Sequence, residues 1–209
     1  TPIQLTIDRL KSKYSSQLSE KDTDNFKENL KIINNQIKQI EKLVNEFSDF
    51  ARMPKPIFQK NDLTELIIEN IKLLQELETS IEIKFESNLP IINLESDKEQ
   101  LSRVFLNLIK NSIESIQQKV QNDNNTNKKI DIELNDHDDH INLTIIDTGI
   151  GFENLKSNIK DILNPYFTTK KNGTGLGLSI VNKIINDHNG NIEFIPINNG
   201  AKIKIIFKK

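Results

Sequence analysis

A stripe of apolar residues between positions 24 and 52 constrains the fold of this chain more than any other feature. Its members follow one another at alternating intervals of four and three residues, the heptad spacing of a helix that packs along another helix. They are Phe26, Leu30, Ile33, Ile37, Ile40, Val44, Phe47 and Ala51. Pro54 and Pro56 follow, and two prolines one residue apart end a helix and begin a short, stiff link. The sequence therefore predicts a long helix and a domain boundary after residue 53.

Residues 1–20 carry a shorter pattern of the same kind. Its apolar members are Ile3, Ile7, Leu10 and Tyr14. A polar stretch over residues 15–22 separates the two patterns, so we predict an antiparallel helical hairpin over residues 1–53. Two helices cannot bury two apolar seams alone, and pairing of two hairpins into a four-helix bundle would cover both. Packing of the hairpin on the rest of its own chain is the alternative, but the length and regularity of the seam favour a homodimer.

Composition narrows the classes of partner. The 28 basic and 30 acidic residues nearly cancel, which gives no reason to expect nucleic acid or a charged membrane surface as the main partner. The absence of cysteine excludes disulfides and thiolate metal sites, and His137, His140 and His188 lack the spacing of a zinc site. No apolar run reaches the length of a membrane span. Because the chain begins at Thr1, we expect a piece of a longer protein whose membrane anchor, if any, lies in the missing part.

The remainder of the chain, residues 54–209, mixes helical and alternating patterns. Helical spacing predicts one helix over residues 63–77, capped by Asn61 or Asp62, and another from residue 96 or 97 to about residue 116. The polar, asparagine-rich residues 117–129 are expected to form a solvated loop. Alternating patterns predict strands at 81–86, 91–94, 130–134, 141–146, 192–197 and 201–207.

The order of these elements indicates the fold class. Five or six strands and three helices are mixed rather than strictly alternating, and the third helix follows Gly177. This arrangement predicts an α+β fold, a two-layer sandwich with helices on one face of a mixed sheet.

Two asparagines form the first candidate site. Asn107 and Asn111 are four residues apart on the predicted second helix of this part, so their side chains lie on one face. Amide oxygens are neutral, hard ligands suited to Mg²⁺ that shares phosphate oxygens, and Lys110 beside them is a candidate phosphate partner. A pair of exposed asparagines in an asparagine-rich protein is the alternative.

The second candidate follows a predicted strand. Asp147 ends the strand, and Gly149 and Gly151 come directly after it. A carboxylate there can accept a hydrogen bond from an exocyclic amine such as that of adenine, and the glycines allow a tight turn against a flat base. An ordinary strand-ending turn is the alternative, because Asp and Gly also favour turns.

The third and fourth candidates are close in sequence. Phe167 and Lys170 lie in a polar stretch, where the aromatic ring suggests a latch for a mobile loop and the lysine a phosphate partner. A glycine-rich loop then leads into the last helix, which turns backbone N–H groups and the positive end of its dipole toward an anion. The loop residues are Gly173, Thr174, Gly175, Leu176 and Gly177.

In this order, the four clusters resemble the N, G1, F and G2 boxes of the catalytic, ATP-binding domain of histidine kinases, in the superfamily that includes gyrase, Hsp90 and MutL. The resemblance covers about residues 57–209. The preceding hairpin resembles the dimerisation and phosphoacceptor domain of these kinases. The stretches at residues 1–5 and 46–54 look like nitrogen-regulation sensor kinases of the NtrY type.

The resemblance implies ATP and Mg²⁺ as cofactors. Asn111, helped by Asn107, would hold Mg²⁺ on the triphosphate, and Asp147 would read the adenine amine. Gly149 and Gly151 would give room for the base. Residues from about 152 to 175 would form a lid over ATP that contains Phe167 and Lys170, and the loop glycines would wrap the phosphates. Because these glycines would serve motion as well as anion binding, we expect Gly175→Ala to weaken nucleotide binding and leave the fold intact.

The resemblance also implies two partners, a second copy through the hairpin and a response regulator receiver domain. From the charge balance we expect no nucleic acid, and we expect a membrane only through the missing N-terminal part. The kinase core would lie on the cytoplasmic face of an inner-membrane protein. Superfamily members that hydrolyse ATP carry Glu, the general base, where this chain has Asn107, so transfer is favoured over hydrolysis. A superfamily ATPase and a non-catalytic nucleotide-sensing dimerisation module are the alternatives.

The phosphoacceptor histidine is expected to lie outside this chain. In the kinases resembled, it precedes the stretch matching Thr1 by one to two helical turns. His137 and His140 lie in a predicted turn and His188 at a helix end, so all three are expected to be structural or surface residues. We therefore expect the chain to bind ATP but not to phosphorylate itself on histidine.

Overall fold

A computed structural model of the chain describes residues 2–14, 20–122, 127–152, 159–170 and 173–209. The chain forms two compact units. The first comprises residues 1–53 with 169–174, and the second comprises residues 54–168 with 175–209.

The first unit is built on a helical hairpin. Helix α1 spans Pro2–Tyr14 and helix α2 spans Glu20–Ala51; most of the predicted turn lies outside the described residues. Ile7, Leu30 and Ile37 form a buried cluster between the helices, with Phe26 packed against it. The other seam positions remain largely exposed: Ile3, Leu10, Ile33, Ile40, Val44 and Phe47. One hairpin therefore buries only part of its apolar seam.

The second unit contains seven strands among the described residues, one more than the sequence predicts. Two strands, β1 (Gln59–Asp62) and β3 (Asn93–Ser96), pair antiparallel as a small separate sheet. A short 3-10 helix spans Ile159–Leu163. The elements in chain order are β1 Gln59–Asp62, α3 Leu63–Leu77, β2 Glu82–Ser87, β3 Asn93–Ser96, α4 Lys98–Asn122, β4 Lys129–Asp136, β5 His140–Asp147, α5 Gly177–Asp187, β6 Gly190–Ile197 and β7 Gly200–Lys208.

The main sheet has the strand order β2-β4-β5-β7-β6. Strands β2 and β4 are parallel, and the other neighbours are antiparallel. Helices α3, α4 and α5 pack against one another and against strands of this sheet. The predicted α+β class, with helices on a mixed sheet, is confirmed.

Register aligns the buried side chains of the sheet into rows. Ile132, Ile145 and Ile203 form one such row across β4, β5 and β7. The next row toward the end of β5 contains Asp147, between Ile130 and Ala201. A carboxylate therefore lies on the buried face of the sheet, in a row whose other two members are apolar.

Helix α4 supplies the buried surface that the sequence predicts for it. Its predicted inward residues are all buried: Leu101, Val104, Phe105, Leu108, Ile109, Ser112 and Ile116. The predicted caps also form, because Asp62 Oδ1 accepts a hydrogen bond from Thr64 N at 2.9 Å and Asp97 Oδ1 accepts one from Gln100 N at 3.0 Å. The Asp62 cap fixes where α3 begins, and the Asp97 cap fixes where α4 begins.

The predicted loop over residues 117–129 is wrong in its first part, because α4 continues to Asn122. Tertiary contacts hold these last turns. Gln117 Nε2 donates to Glu78 Oε2 at 2.6 Å, and Lys119 Nζ donates to Thr148 O at 3.0 Å. Residues 123–126 lie outside the described part of the chain. In the described ranges, no helix has both the length and the apolar character that a membrane crossing requires.

Candidate functional site

Asp147 is the buried polar centre of the candidate site. It is the last residue of β5, and only 4 % of its surface is exposed. Its Oδ1 accepts a hydrogen bond from Gly149 N at 2.9 Å. The carboxyl is thus held at the strand end by the turn that follows it.

Burial raises the pKa of the Asp147 carboxyl above its ordinary value, and the hydrogen bond from Gly149 opposes this change. The Ser112 hydroxyl lies near enough to favour the charged form as well, although the two groups do not meet hydrogen-bond geometry. Ser112 is therefore a close neighbour of the carboxyl and not a hydrogen-bond donor to it. A ligand that donates a hydrogen bond to a buried carboxyl of this kind stabilises its charged form.

The two glycines after Asp147 are required by contacts within the protein. A Cβ added at Gly149 would overlap the Ser115 hydroxyl and lie 2.8 Å from the Ser115 backbone carbonyl carbon. Gly151 has a φ of 66°, and a Cβ there would meet the Gly200 carbonyl. The turn therefore lies directly against α4 and the start of β7.

Helix α4 presents the asparagine pair and Lys110. Asn107 is partly buried, and its Nδ2 donates to Arg103 O at 2.8 Å, within its own helix. Its Oδ1 faces α5, because a Cβ added at Gly177 would lie 3.1 Å from it. Asn111 is partly buried and Lys110 is exposed. The structure thus brings Asn107 to the first residue of the helix that follows the glycine loop.

Helix α5 begins at Gly177, directly after the fully buried Leu176. The N-cap residue Leu176 makes no side-chain capping hydrogen bond. The first turn of a helix has N–H groups without partners in the helix and carries partial positive charge. Glycine at this position lets an anion approach the N–H groups closely.

The predicted lid is described only in part, since residues 153–158 and 171–172 lie outside the described ranges. Phe167 is partly buried, and its N–H donates to Asn164 O at 3.2 Å. Tyr166 N donates to Gly175 O at 3.0 Å. Gly175 has a φ of 70°, and a Cβ added there would lie 2.7 Å from Tyr166 Cα. The expectation that Gly175→Ala leaves the structure intact is wrong for this loop, because the Cβ would meet backbone.

Three further predicted site residues belong to the first unit: Lys170, Gly173 and Thr174. Each is partly buried, and Gly173 N donates to Lys170 O at 3.2 Å. Within the second unit, the structure groups Asp147, Gly149 and Gly151 against α4.

Sequence reasoning missed Ser115 and Lys119, which hold the turn after Asp147. Ser115 Oγ accepts a hydrogen bond from Ile150 N at 3.1 Å, and Lys119 Nζ donates to Thr148 O at 3.0 Å. The spacing of these residues carried a signal, since Asn111, Ser115 and Lys119 are four residues apart and share one face of α4.

The three histidines have the structural or surface positions expected of them. His188 is 4 % exposed, contacts Ile184 O through Nδ1 at 2.8 Å, and accepts from Asp97 N through Nε2 at 3.0 Å. The rings of His137 and His140 stack at 4.6 Å beside the β4–β5 turn.

The available ligands limit how a metal ion could be held. Among the described residues, no group of three or more His, Asp or Glu side chains could hold a metal ion. Asn111 and Asn107 offer neutral amide oxygens instead. This set fits Mg²⁺, which retains waters and takes ligand phosphate oxygens, and not a metal that needs a full set of protein ligands.

Comparison with known proteins gives consistent matches. Residues 96–209 match the family described as "Histidine kinase-, DNA gyrase B-, and HSP90-like ATPase". The nitrogen regulation protein NtrY of Azorhizobium caulinodans is 35 % identical over 211 residues, which cover 100 % of this chain and 27 % of that protein. The chain thus spans about a quarter of the length of this curated relative.

Solved structures give the same result. The catalytic domain of histidine kinase ThkA has a TM-score of 0.60 at 30 % identity and covers 73 % of this chain and 96 % of its own. Histidine kinase ThkA in complex with response regulator protein TrrA has a TM-score of 0.69 at 27 % identity, covering 100 % of this chain and 58 % of its own.

Proposed function

Because this chain belongs to the family of histidine kinase-, DNA gyrase B- and HSP90-like ATPases, we propose that it is the Mg-ATP-binding kinase core of a sensor histidine kinase. The observation that carries this proposal is the Asp147 carboxyl, buried at the end of β5 and held by Gly149. An amine on the edge of a purine base is a donor that such a carboxylate can accept. The domain boundary after residue 53 is part of the proposal.

The phosphate end of the nucleotide would meet α4 and α5. Asn111, helped by Asn107, would hold Mg²⁺, and Lys110 and Lys170 would meet phosphate. Bound Mg²⁺ supplies charge neutralisation on the phosphate oxygens. The glycines of the loop and the N–H groups at the start of α5 would bind the remaining phosphate charge. Phe167 would belong to the lid that covers the nucleotide.

Asn107 supports transfer over hydrolysis. General-base activation of water needs a group that takes up a proton, and an amide cannot do so. The Asn107 NH₂ group already donates to Arg103 O. The site would therefore position the γ-phosphoryl group, which leaves ADP and bonds to a nitrogen of an acceptor histidine.

The proposal also covers the phosphoacceptor histidine and the protein partners. None of the three histidines lies in the hairpin, so this chain would not phosphorylate itself on histidine. The phosphoryl group would pass on to a response regulator receiver domain, as the ThkA–TrrA complex suggests by analogy. The hairpin would form a homodimer, since Ile40 and Val44 are 62 % and 54 % exposed.

Calorimetric titration of ATP, with and without Mg²⁺, tests the site. We expect Mg²⁺ to tighten ATP binding to the wild type and to have much less effect on Asn111→Ala. Asn191→Ala, which removes an exposed amide from β6, is the matched control and should behave as wild type. Absence of ATP binding, or an undiminished Mg²⁺ effect in Asn111→Ala, would refute the proposal.

Phosphorylation assays separate the kinase from the other two candidates. With γ-labelled ATP we expect no acid-labile label on this chain and clear labelling once the upstream segment is restored. Label on this chain alone would contradict the assignment of the acceptor. ATP binding without any labelling of the extended chain would favour a nucleotide-sensing dimerisation module. Rapid Mg²⁺-dependent hydrolysis would favour an ATPase.

A further inference from the structure

We propose that Ser115 and Lys119 are positioning residues for base recognition, which set the discrimination between adenine and other purines by holding the turn that orients the Asp147 carboxyl. This inference rests on the proposed function, in which Asp147 accepts a hydrogen bond from the adenine amine. It adds two residues of α4 that hold the main chain of the turn behind that carboxyl.

Ser115 holds the middle of the turn. Its Oγ accepts the hydrogen bond from Ile150 N at 3.1 Å. The same side chain occupies the space next to Gly149, where an added Cβ would overlap it. Since Gly149 N is the donor that orients Asp147 Oδ1 at 2.9 Å, a shift of this turn would also shift the carboxyl.

Lys119 holds the start of the turn, one helical turn further along α4. Its Nζ donates to Thr148 O at 3.0 Å. Thr148 is also tied to β4, because its Oγ1 accepts from Lys129 N at 3.1 Å. The peptide that directly follows Asp147 is therefore fixed from the helix layer and from the sheet.

These contacts matter because hydrogen bonding to a base edge is strongly directional. The energy of one such bond falls steeply when donor and acceptor are misaligned, whereas the proposed phosphate-binding N–H groups belong to another element, α5. Loss of Ser115 Oγ or Lys119 Nζ should therefore reduce base discrimination more than the phosphate contribution. A purely structural role would weaken the binding of every nucleotide alike.

The test compares ATP with inosine triphosphate, which carries a carbonyl oxygen in place of the exocyclic amine. We expect the wild type to prefer ATP and Asp147→Asn to lose most of this preference. Ser115→Ala and Lys119→Met should each reduce the ratio of the two affinities by about 3- to 10-fold, which corresponds to one hydrogen bond of ordinary net strength. Lys119→Arg keeps a donor and should retain the ratio.

Matched controls lie on the same helix. Ser102 Oγ donates to Asn70 Oδ1 at 2.8 Å and Lys98 pairs with Glu69 at 3.0 Å, so both contact α3 and not the turn. Ser102→Ala and Lys98→Met should leave the ratio of ATP to inosine triphosphate affinity unchanged. Thermal unfolding of every variant shows whether it remains folded at the titration temperature.

The outcomes distinguish the positioning role of Ser115 and Lys119 from the proposed role of Asp147. If Asp147→Asn abolishes the preference while Ser115→Ala and Lys119→Met preserve it, the positioning role is wrong and the proposed function stands. Equal loss of affinity for both nucleotides in these two variants also overturns the positioning role. If the wild type does not prefer ATP, the assignment of Asp147 fails, and this inference fails with it.

Discussion

Asp147→Asn should weaken nucleotide binding and stabilise the fold at the same time. Asparagine has nearly the same shape, and its Oδ1 can keep the hydrogen bond from Gly149 N at 2.9 Å. What changes is the charge offered to the ligand. A hydrogen bond to a charged group contributes about 1.5–3 kcal/mol, so we expect ATP affinity to fall by roughly 10- to 150-fold.

The stability effect has the opposite sign because the carboxyl is buried. Burial raises its pKa in the folded state above the ordinary value of 3.8. The folded state therefore binds this proton more tightly than the unfolded chain, and the wild type loses stability as pH rises from 3.8 through the folded pKa. Asparagine does not titrate, so the stability of the variant relative to wild type should increase across that interval and be largest at neutral pH.

Urea unfolding at several pH values between 4 and 7, together with ATP titration at pH 7, measures both effects. Asp131→Asn is the matched control, because Asp131 is partly exposed and pairs with Lys129. This control should leave ATP affinity unchanged. If Asp147→Asn were destabilised at pH 7 with unchanged ATP affinity, the carboxyl would be a structural group and the reasoning would be refuted.

The remaining predictions concern the loop, the hairpin and the core. Gly175→Ala should destabilise the second unit by about 1–3 kcal/mol as well as weaken ATP binding, since its Cβ would meet the Tyr166 backbone; urea unfolding measures the loss. Ile40→Asp should shift the chain toward monomer in analytical ultracentrifugation with ATP affinity unchanged. Leu108→Ala should cost about 2–5 kcal/mol in urea unfolding, since Leu108 is fully buried in α4.

Much of the second unit could be predicted from periodicity, because its helices bury one face and expose the other. The inward stripe of α4 appears in the sequence at helical spacing, from Leu101 to Ile116. The cap at Asp62 is a local hydrogen bond between residues two apart, so the sequence near it contains the whole interaction. Periodicity does not explain why the four candidate clusters occur in this order. The family resemblance supplied their functional interpretation.

What could not be predicted depends on contacts between residues distant in sequence. Strand β1 has the polar sequence Gln59–Asp62 and forms because it pairs with β3, more than 30 residues later in the chain. The last turns of α4 look like loop in composition, yet Gln117 and Lys119 find partners on other elements. The glycines after Asp147 suggest room for a ligand, whereas Ser115 and Gly200 already fill part of that space.

In the proposed site, Asn107 links the choice between transfer and hydrolysis to the geometry of the phosphate end. Its NH₂ group is committed to Arg103 O at 2.8 Å, so its carbonyl oxygen is the atom turned to the start of α5. Beside the positive end of a helix dipole, an amide oxygen adds a partial negative charge but no proton acceptor of useful basicity. A glutamate here would add a full negative charge next to the phosphates as well as a base. The amide therefore suits a site in which the phosphoryl group is held for a histidine nucleophile and water is not activated.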